Sequence, residues 1–149
     1  MHMMNMQVSN ANRMQSANIM GSFIDCIIDT TKNSWQYKQR ANEAAEALIK
    51  PGVRFCDLDA AARSLITAAG YGEYFNHRLG HFIGQTDHEK GDVSSANTTV
   101  ARPGMIFSIE PGIYLPGEFG VRIEDLVLVT ETGCEVLNRN DKHWAVVGQ

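Results

Sequence analysis

The sequence predicts an α+β domain in which two helices precede an antiparallel sheet. Apolar and small residues recur at three-four spacing from Ile24 to Ile49 and again from Leu58 to Ala69, the mark of helices with one buried face. From Met105 onward the pattern changes to short β-rich runs cut by turns at Pro111-Gly112, Pro116-Gly117 and Glu131-Thr132-Gly133. The third observation is a histidine-rich stretch between the two halves. His77-Arg78-Leu79-Gly80-His81-Phe82-Ile83-Gly84, followed by His88-Glu89, holds three of the five histidines within twelve residues. Glycines stand between them, where a bulky residue would keep backbone and ligand apart.

Each element has its own signals. Residues 1–21 are dominated by Met, Asn, Gln, Ser and Ala, with four of the seven methionines in the first six positions, and are expected to form a flexible tail. The domain is expected over residues 22–149. Ser22 with Asp25 three residues on resembles a capping box, and Trp35, Ala41, Ala44, Ala45, Leu48 and Ile49 continue the buried stripe until Pro51-Gly52 stops the helix. Asp57 is the expected cap of the second helix, with Leu58, Ala61, Ala62, Leu65, Ile66 and Ala69 inward and Gly70 at its end. Strands are expected at Ile106–Glu110, Ile113–Leu115, Val121–Thr130 and Cys134–Leu137.

Composition narrows the function classes. A chain of 149 residues suits one domain, and 44% hydrophobic with 20% charged residues is ordinary for a soluble globular protein. A net charge of −4 leaves no footprint for nucleic acid or an anionic membrane. Cys26, Cys56 and Cys134 are odd in number and far apart, so neither a disulfide framework nor a thiolate zinc site is expected, and the setting is expected to be cytoplasmic. No apolar run reaches membrane-spanning length.

Imidazole and carboxylate together suit Mn, Co, Zn or Fe, and the stretch reads as a metal site. In Val121-Arg122-Ile123-Glu124-Asp125, Arg122 and Glu124 share one face of an expected strand, where Glu124 must pair with Arg122 or meet a cation. Glu110 stands at the end of its own strand, just before a turn.

Three ordered segments carry a resemblance. They are His77 to Gly84 with His88-Glu89, Gly104-Met105-Ile106-Phe107-Ser108-Ile109-Glu110-Pro111-Gly112-Ile113-Tyr114, and Gly120-Val121-Arg122-Ile123-Glu124-Asp125. Together they closely resemble the pita-bread metallopeptidase family of Xaa-Pro aminopeptidases, prolidases, methionine aminopeptidases and creatinases, over roughly residues 37–138. The resemblance implies that His81, Glu110 and Glu124 are metal ligands, with Glu124 bridging two ions. It implies that His88 contacts substrate and steadies the tetrahedral intermediate, that His77 lines the substrate pocket, and that Arg122 holds the ligating carboxylates. Metal-activated water would attack an Xaa-Pro bond, with Glu110 taking its proton.

The family's complete site uses two further aspartates on earlier strands, and nothing in residues 1–36 matches that pattern; Asp25 and Asp29 are not promoted to ligands. The expectation is a partial pita-bread fold, an antiparallel sheet with helices packed on one face and leading strands missing. It would hold at most one well-coordinated divalent ion, Mn first with Co or Zn possible. An unpaired edge would favour a homodimer. Hydrolysis of a proline-containing peptide or dipeptide is expected to be weak or absent in this chain alone. The alternative is a non-catalytic peptide-binding module.

Overall fold

The computed structural model describes the backbone of residues 17–139 and 142 and the side chains of residues 32–139 and 142. Most of the expected tail, and the pair His143-Trp144, lie outside the described residues. Helix α1 spans Ala17–Glu46 and runs through Ser22, so Ser22 is not its cap; the helical pattern simply continues upstream. The side chains of Asp25 and Asp29 fall outside the described ones.

Two cores organise the chain. Ala41, Ala45 and Ile49 pack with helix α2 and the main strands, while Trp35 sits one to two turns earlier over Phe119, Val121 and Ile123. Ala44 is half-buried and Leu48 exposed, which narrows the expected stripe to the positions that meet another element. Lys38 lies on this same inward face. It is fully buried, and its ammonium nitrogen has no hydrogen-bond partner among the described residues. Burial pushes its pKa down from the ordinary 10.5 to about 6.

Helix α2 spans Phe55–Ala68. Its cap is Arg54, in extended backbone, and Asp57 lies in the first turn instead of at the cap. There Asp57 receives two hydrogen bonds from the Arg54 guanidinium, at 2.8 and 2.7 Å. Phe55, Leu58, Ala62 and Ile66 face the core. The helix ends as its glycine predicts: Gly70 takes φ +86°, and the Tyr71 and Gly70 amides close back on Ile66 O and Thr67 O at 3.0 and 2.9 Å.

Buried Asp59 accepts from Arg63 at 2.7 and 2.8 Å, one helical turn on. The same guanidinium donates to Phe75 O at 2.8 Å and His77 O at 2.9 Å, and sits 4.1 Å from the centre of the Phe75 ring. One arginine thus ties α2 to the chain entering the histidine-rich stretch, just past a 3-10 turn at Gly72–Tyr74.

Among the described residues seven short strands follow, all antiparallel to their partners, and they form three small sheets instead of one continuous sheet. β1 (Gly80–His81) pairs with β2 (Asp92–Val93). β3 (Ile106–Ile109) pairs with β6 (Asp125–Val129), which also pairs with β7 (Cys134–Val136). β4 (Gly112–Leu115) and β5 (Phe119–Arg122) form a hairpin. The expected single strand over Val121–Thr130 is therefore broken at Ile123-Glu124. No helix among the described residues is long and apolar enough to cross a membrane.

Two stability measurements follow from these buried charges. The folded pKa of Lys38 lies below its unfolded value, so folding expels a proton between pH 6 and 10.5 and stability rises with pH across that window. Lys38→Met removes both the unpartnered donor and this slope; urea unfolding at pH 7 is expected to show a gain of about 2 kcal/mol that shrinks toward pH 10. A Met variant no more stable than the parent at pH 7 would refute this. Arg63→Met leaves Asp59 buried without its counter-ion, and a loss of about 3 kcal/mol is expected, with Arg63→Lys recovering only part because it lacks the fork. A loss under about 1 kcal/mol would show the clamp to be dispensable.

Candidate metal centre

The site starts from a close approach of two strands. A Cβ placed on Gly80 would lie 1.8 Å from Ser108 O, so only glycine lets β1 press against β3. The contact is closed by Glu110 N donating to Leu79 O at 2.8 Å and Ile83 N to Ile106 O at 3.1 Å. Gly80 therefore admits neighbouring backbone, where the sequence suggested room for a ligand. His81, next in β1, donates its amide to Ser108 Oγ at 2.9 Å. Ser108 Oγ in turn lies 3.2 Å from Glu110 Oε1, because residues 108 and 110 share a face of the chain.

The second carboxylate arrives from the opposite direction. Ile109 pairs with Asp125 at the last rung of the β3–β6 ladder. Glu110 leaves that rung and Glu124 enters it, which sets the two carboxylates beside each other. His81, Glu110 and Glu124 each offer a ligand atom, and these atoms lie within 4.8 Å of one another. His81 and Glu110 are buried, with His81 Nε2 3.4 Å from Glu110 Oε1, while Glu124 is exposed. The protein around Glu124 nevertheless desolvates its carboxyl and pushes its pKa up; Glu110 adds to the rise, and Arg122 and His81 oppose it.

Arg122 pairs with Glu110, not with Glu124: its Nη1 donates to Glu110 Oε2 at 2.9 Å. Burial alternates on through the break at Ile123-Glu124, with Val121, Ile123 and Asp125 buried and Arg122 and Glu124 exposed. Of the two partners the sequence left open to Glu124, Arg122 or a cation, the arginine is taken by Glu110, and Arg122 bridges from the hairpin to the end of β3. Its guanidinium also stands 5.7 Å from the Tyr114 ring.

The other two histidines occupy different environments. His88 is exposed and stacks on His81, ring centres 3.9 Å apart and 24° between planes, with its Nδ1 3.5 Å from Asp87. Glu89 is used in the turn, where Oε1 accepts from the Thr86 amide and hydroxyl, each at 3.0 Å. His77 packs edge-on to Phe75 and Tyr114, ring centres 4.9 and 5.7 Å away. Its Nδ1 lies 2.7 Å from Arg78 O, which assigns the proton to Nδ1. Nε2 is buried with no partner among the described residues, beside Gly112, where a Cβ would come within 2.8 Å of it. Burial lowers the His77 pKa against the opposing bond to Arg78 O, with Arg122 and Arg63 lowering it and Glu110 raising it.

All six residues singled out from the sequence thus fall around one centre: His77, His81, His88, Glu110, Arg122 and Glu124. The donor set of one imidazole and two carboxylates fits a single divalent ion of borderline hardness, and the mutual repulsion of Glu110 and Glu124 is relieved by a cation between them. Ser108 went unread in the sequence, although a lone hydroxyl in an apolar strand, two residues before an acid, was a signal. Cys56 and Cys134 are half-buried free thiols away from this donor set.

Comparison with known proteins supplies the family. The model of metallopeptidase family M24 matches residues 19–131, reaching further upstream than the resemblance over residues 37–138. An uncharacterized peptidase of Staphylococcus saprophyticus is 56% identical over 103 residues, 69% of this chain and 29% of that protein. One from Staphylococcus aureus is 53% identical over 102 residues, 68% of this chain and again 29% of the relative. Among solved structures, the dipeptidase PepE from Mycobacterium ulcerans superposes with a TM-score of 0.75 at 45% identity, covering 77% of this chain and 31% of that one. The prolidase from Pyrococcus horikoshii gives 0.74 at 43%, covering 76% and 33%. An X-Pro aminopeptidase from Thermotoga maritima gives 0.75 at 41%, covering 77% and 33%. The chain spans 29% of the length of the curated relatives it matches. It belongs to metallopeptidase family M24, with the α+β arrangement of that family's pita-bread fold in partial form.

Proposed function

We propose that this chain carries the metal-binding part of a proline-specific peptidase, a hydrolase of Xaa-Pro bonds in dipeptides or longer peptides. The observation that carries the reading is the convergence of His81, Glu110 and Glu124 from three elements, with Arg122 on Glu110 and His88 on His81. The prolidase, dipeptidase and X-Pro aminopeptidase structures that it resembles support the substrate class.

His81, Glu110 and Glu124 would hold the ion, Mn first, with Co or Zn as alternatives. The ion supplies Lewis acidity, which makes water a nucleophile at neutral pH and polarises the scissile carbonyl. The protein's own groups do the rest. Glu110 receives the proton of the attacking water, while the Arg122 bond to its other oxygen fixes the carboxylate plane. His88, stacked against His81 and open to solvent, donates to the oxygen that gains charge. His77, with Tyr114 and Arg122, walls the pocket for the residue after the bond.

Three donors supply most of the shell of one ion and not of two. We therefore propose that this chain alone is weak or inactive, that the further carboxylates come from another chain, and that it works as a homodimer in the cytoplasm. A peptide-binding module without turnover is the second reading, favoured by the exposure of Glu124, which leaves one side of the centre open.

Titrating chelator-stripped protein with Mn, beside assays on an Ala-Pro dipeptide and a longer Xaa-Pro peptide, separates these. The expected outcome is about one bound ion per chain. His81→Ala should weaken binding at least tenfold, because a vacant ligand position is not refilled by a neighbouring side chain. Mn affinity unchanged by His81→Ala, or no Mn bound at all, would overturn the metal assignment. Binding with no hydrolysis would select the second reading.

A further inference from the structure

Behind the two carboxylates lies a polar network that neither the family motifs nor the ligand set accounts for. Asn42, buried on α1, donates from Nδ2 to Ile109 O at 3.0 Å, one residue before Glu110. Its Oδ1 accepts from Lys142 Nζ at 3.2 Å. Lys142 is also paired with fully buried Asp125, one residue after Glu124. Asn138 completes the ring. Its Nδ2 donates to Asp125 Oδ1 at 2.9 Å and reaches Glu124 O at 3.4 Å, while its Oδ1 accepts the Leu126 amide at 2.7 Å. The Glu46 carboxyl faces Asp125 from the end of α1; burial, then Asp125 itself, pushes its pKa up to about 8. Lys142 is the cation paired with Asp125.

These contacts converge on a single rung. Ile109 and Asp125 are cross-strand partners at the end of the β3–β6 ladder, and Glu110 and Glu124 are the residues immediately beyond it. Without further restraint the end of a two-stranded ladder frays. Here the rung is held from behind by helix α1 through Asn42 and by the C-terminal segment through Lys142 and Asn138. Lys142 lies beyond residues 19–131, the span matched by the family model.

We infer that Lys142, acting through Asn42 and Asp125, is a positioning residue that fixes the separation of Glu110 and Glu124 and so sets the metal affinity of the centre. The inference rests on the reading of His81, Glu110 and Glu124 as ligands, but the geometry it describes exists before any ion binds. Lys142 touches neither ion nor substrate. Its effect passes through the backbone at Ile109 and Asp125.

The test uses the full chain and two readouts. In metal-free protein, site-resolved hydrogen exchange of Lys142→Met is expected to show the Glu110 and Leu126 amides exchanging at least tenfold faster than in the parent. Phe107 and Val127, in the middle of the ladder, should change less than twofold. In the same variant, Mn affinity by calorimetry is expected to fall about tenfold and the visible absorption of bound Co(II) to shift. Lys142→Arg, which keeps the charge, should restore both to within about threefold. If Lys142→Met fails to fold, Asn42→Ser carries the same comparison. Parent protein that binds no Mn would sink the metal assignment but leave the exchange readout to decide the positioning role. Unchanged exchange at Glu110 and Leu126 in a folded variant overturns the inference, as does faster exchange with parental Mn affinity and Co(II) spectrum.

Discussion

At Gly80 a hydrogen stands where any side chain would drive into Ser108 O, 1.8 Å from where its Cβ would be. That contact sets how deeply β1 sinks against β3, and with it the depth of His81. The Ser108 hydroxyl then serves both sides of the seam, receiving the His81 amide at 2.9 Å and facing Glu110 at 3.2 Å. A larger residue at position 80 would move the imidazole, the hydroxyl and the carboxylate together. The same seam explains why a histidine and a glutamate can both be buried here: each has polar partners in place before a ligand arrives.

The helices were legible because their signals are local. Three-four spacing marked Ala41, Ala45, Leu58, Ala62 and Ile66 as inward, and all five are buried. The end of α2 was legible for the same reason, since Gly70 takes a backbone conformation other residues avoid. Starts were harder. Ser22 resembled a cap, yet residues on both sides of it are helical, and a short polar side chain within a turn of an acid does not by itself end a helical pattern. Arg54, with no capping side-chain bond, begins α2 because the Thr99 and Asn97 carbonyls take the Phe55 and Cys56 amides at 3.0 and 2.8 Å, a tertiary contact that no local pattern encodes.

The centre shows the same division. The six side chains were identifiable because their types and spacings form ordered motifs, but their pairings were only partly so. Alternation left Glu124 to pair with Arg122 or a cation, and the resemblance gave Arg122 the ligating carboxylates without saying which; the strand breaks at Ile123-Glu124, and Arg122 goes to Glu110. Where β4–β5 hands over to β3–β6 depends on which strand each segment meets across the sheet, information spread over residues 106–136. Asn42 and Lys142 were illegible for a stronger reason. They are 100 positions apart, and neither is near a motif.

Charge balance gives these placements a common logic. Glu110 stands close enough to Glu124 to disfavour its ionisation. Arg122 offsets part of this repulsion from the hairpin side, bonding Glu110 and opposing the rise at Glu124. Behind the ladder, Asp125 would add a third negative charge one residue from Glu124, were it not paired with Lys142. The two basic residues therefore have complementary effects. Arg122 steadies the carboxylate that an ion would share with water, while Lys142 cancels the charge that would otherwise push the strand ends apart. What remains unbalanced is confined to the open side of the centre, toward exposed Glu124 and His88, and a divalent cation is the simplest charge that completes it.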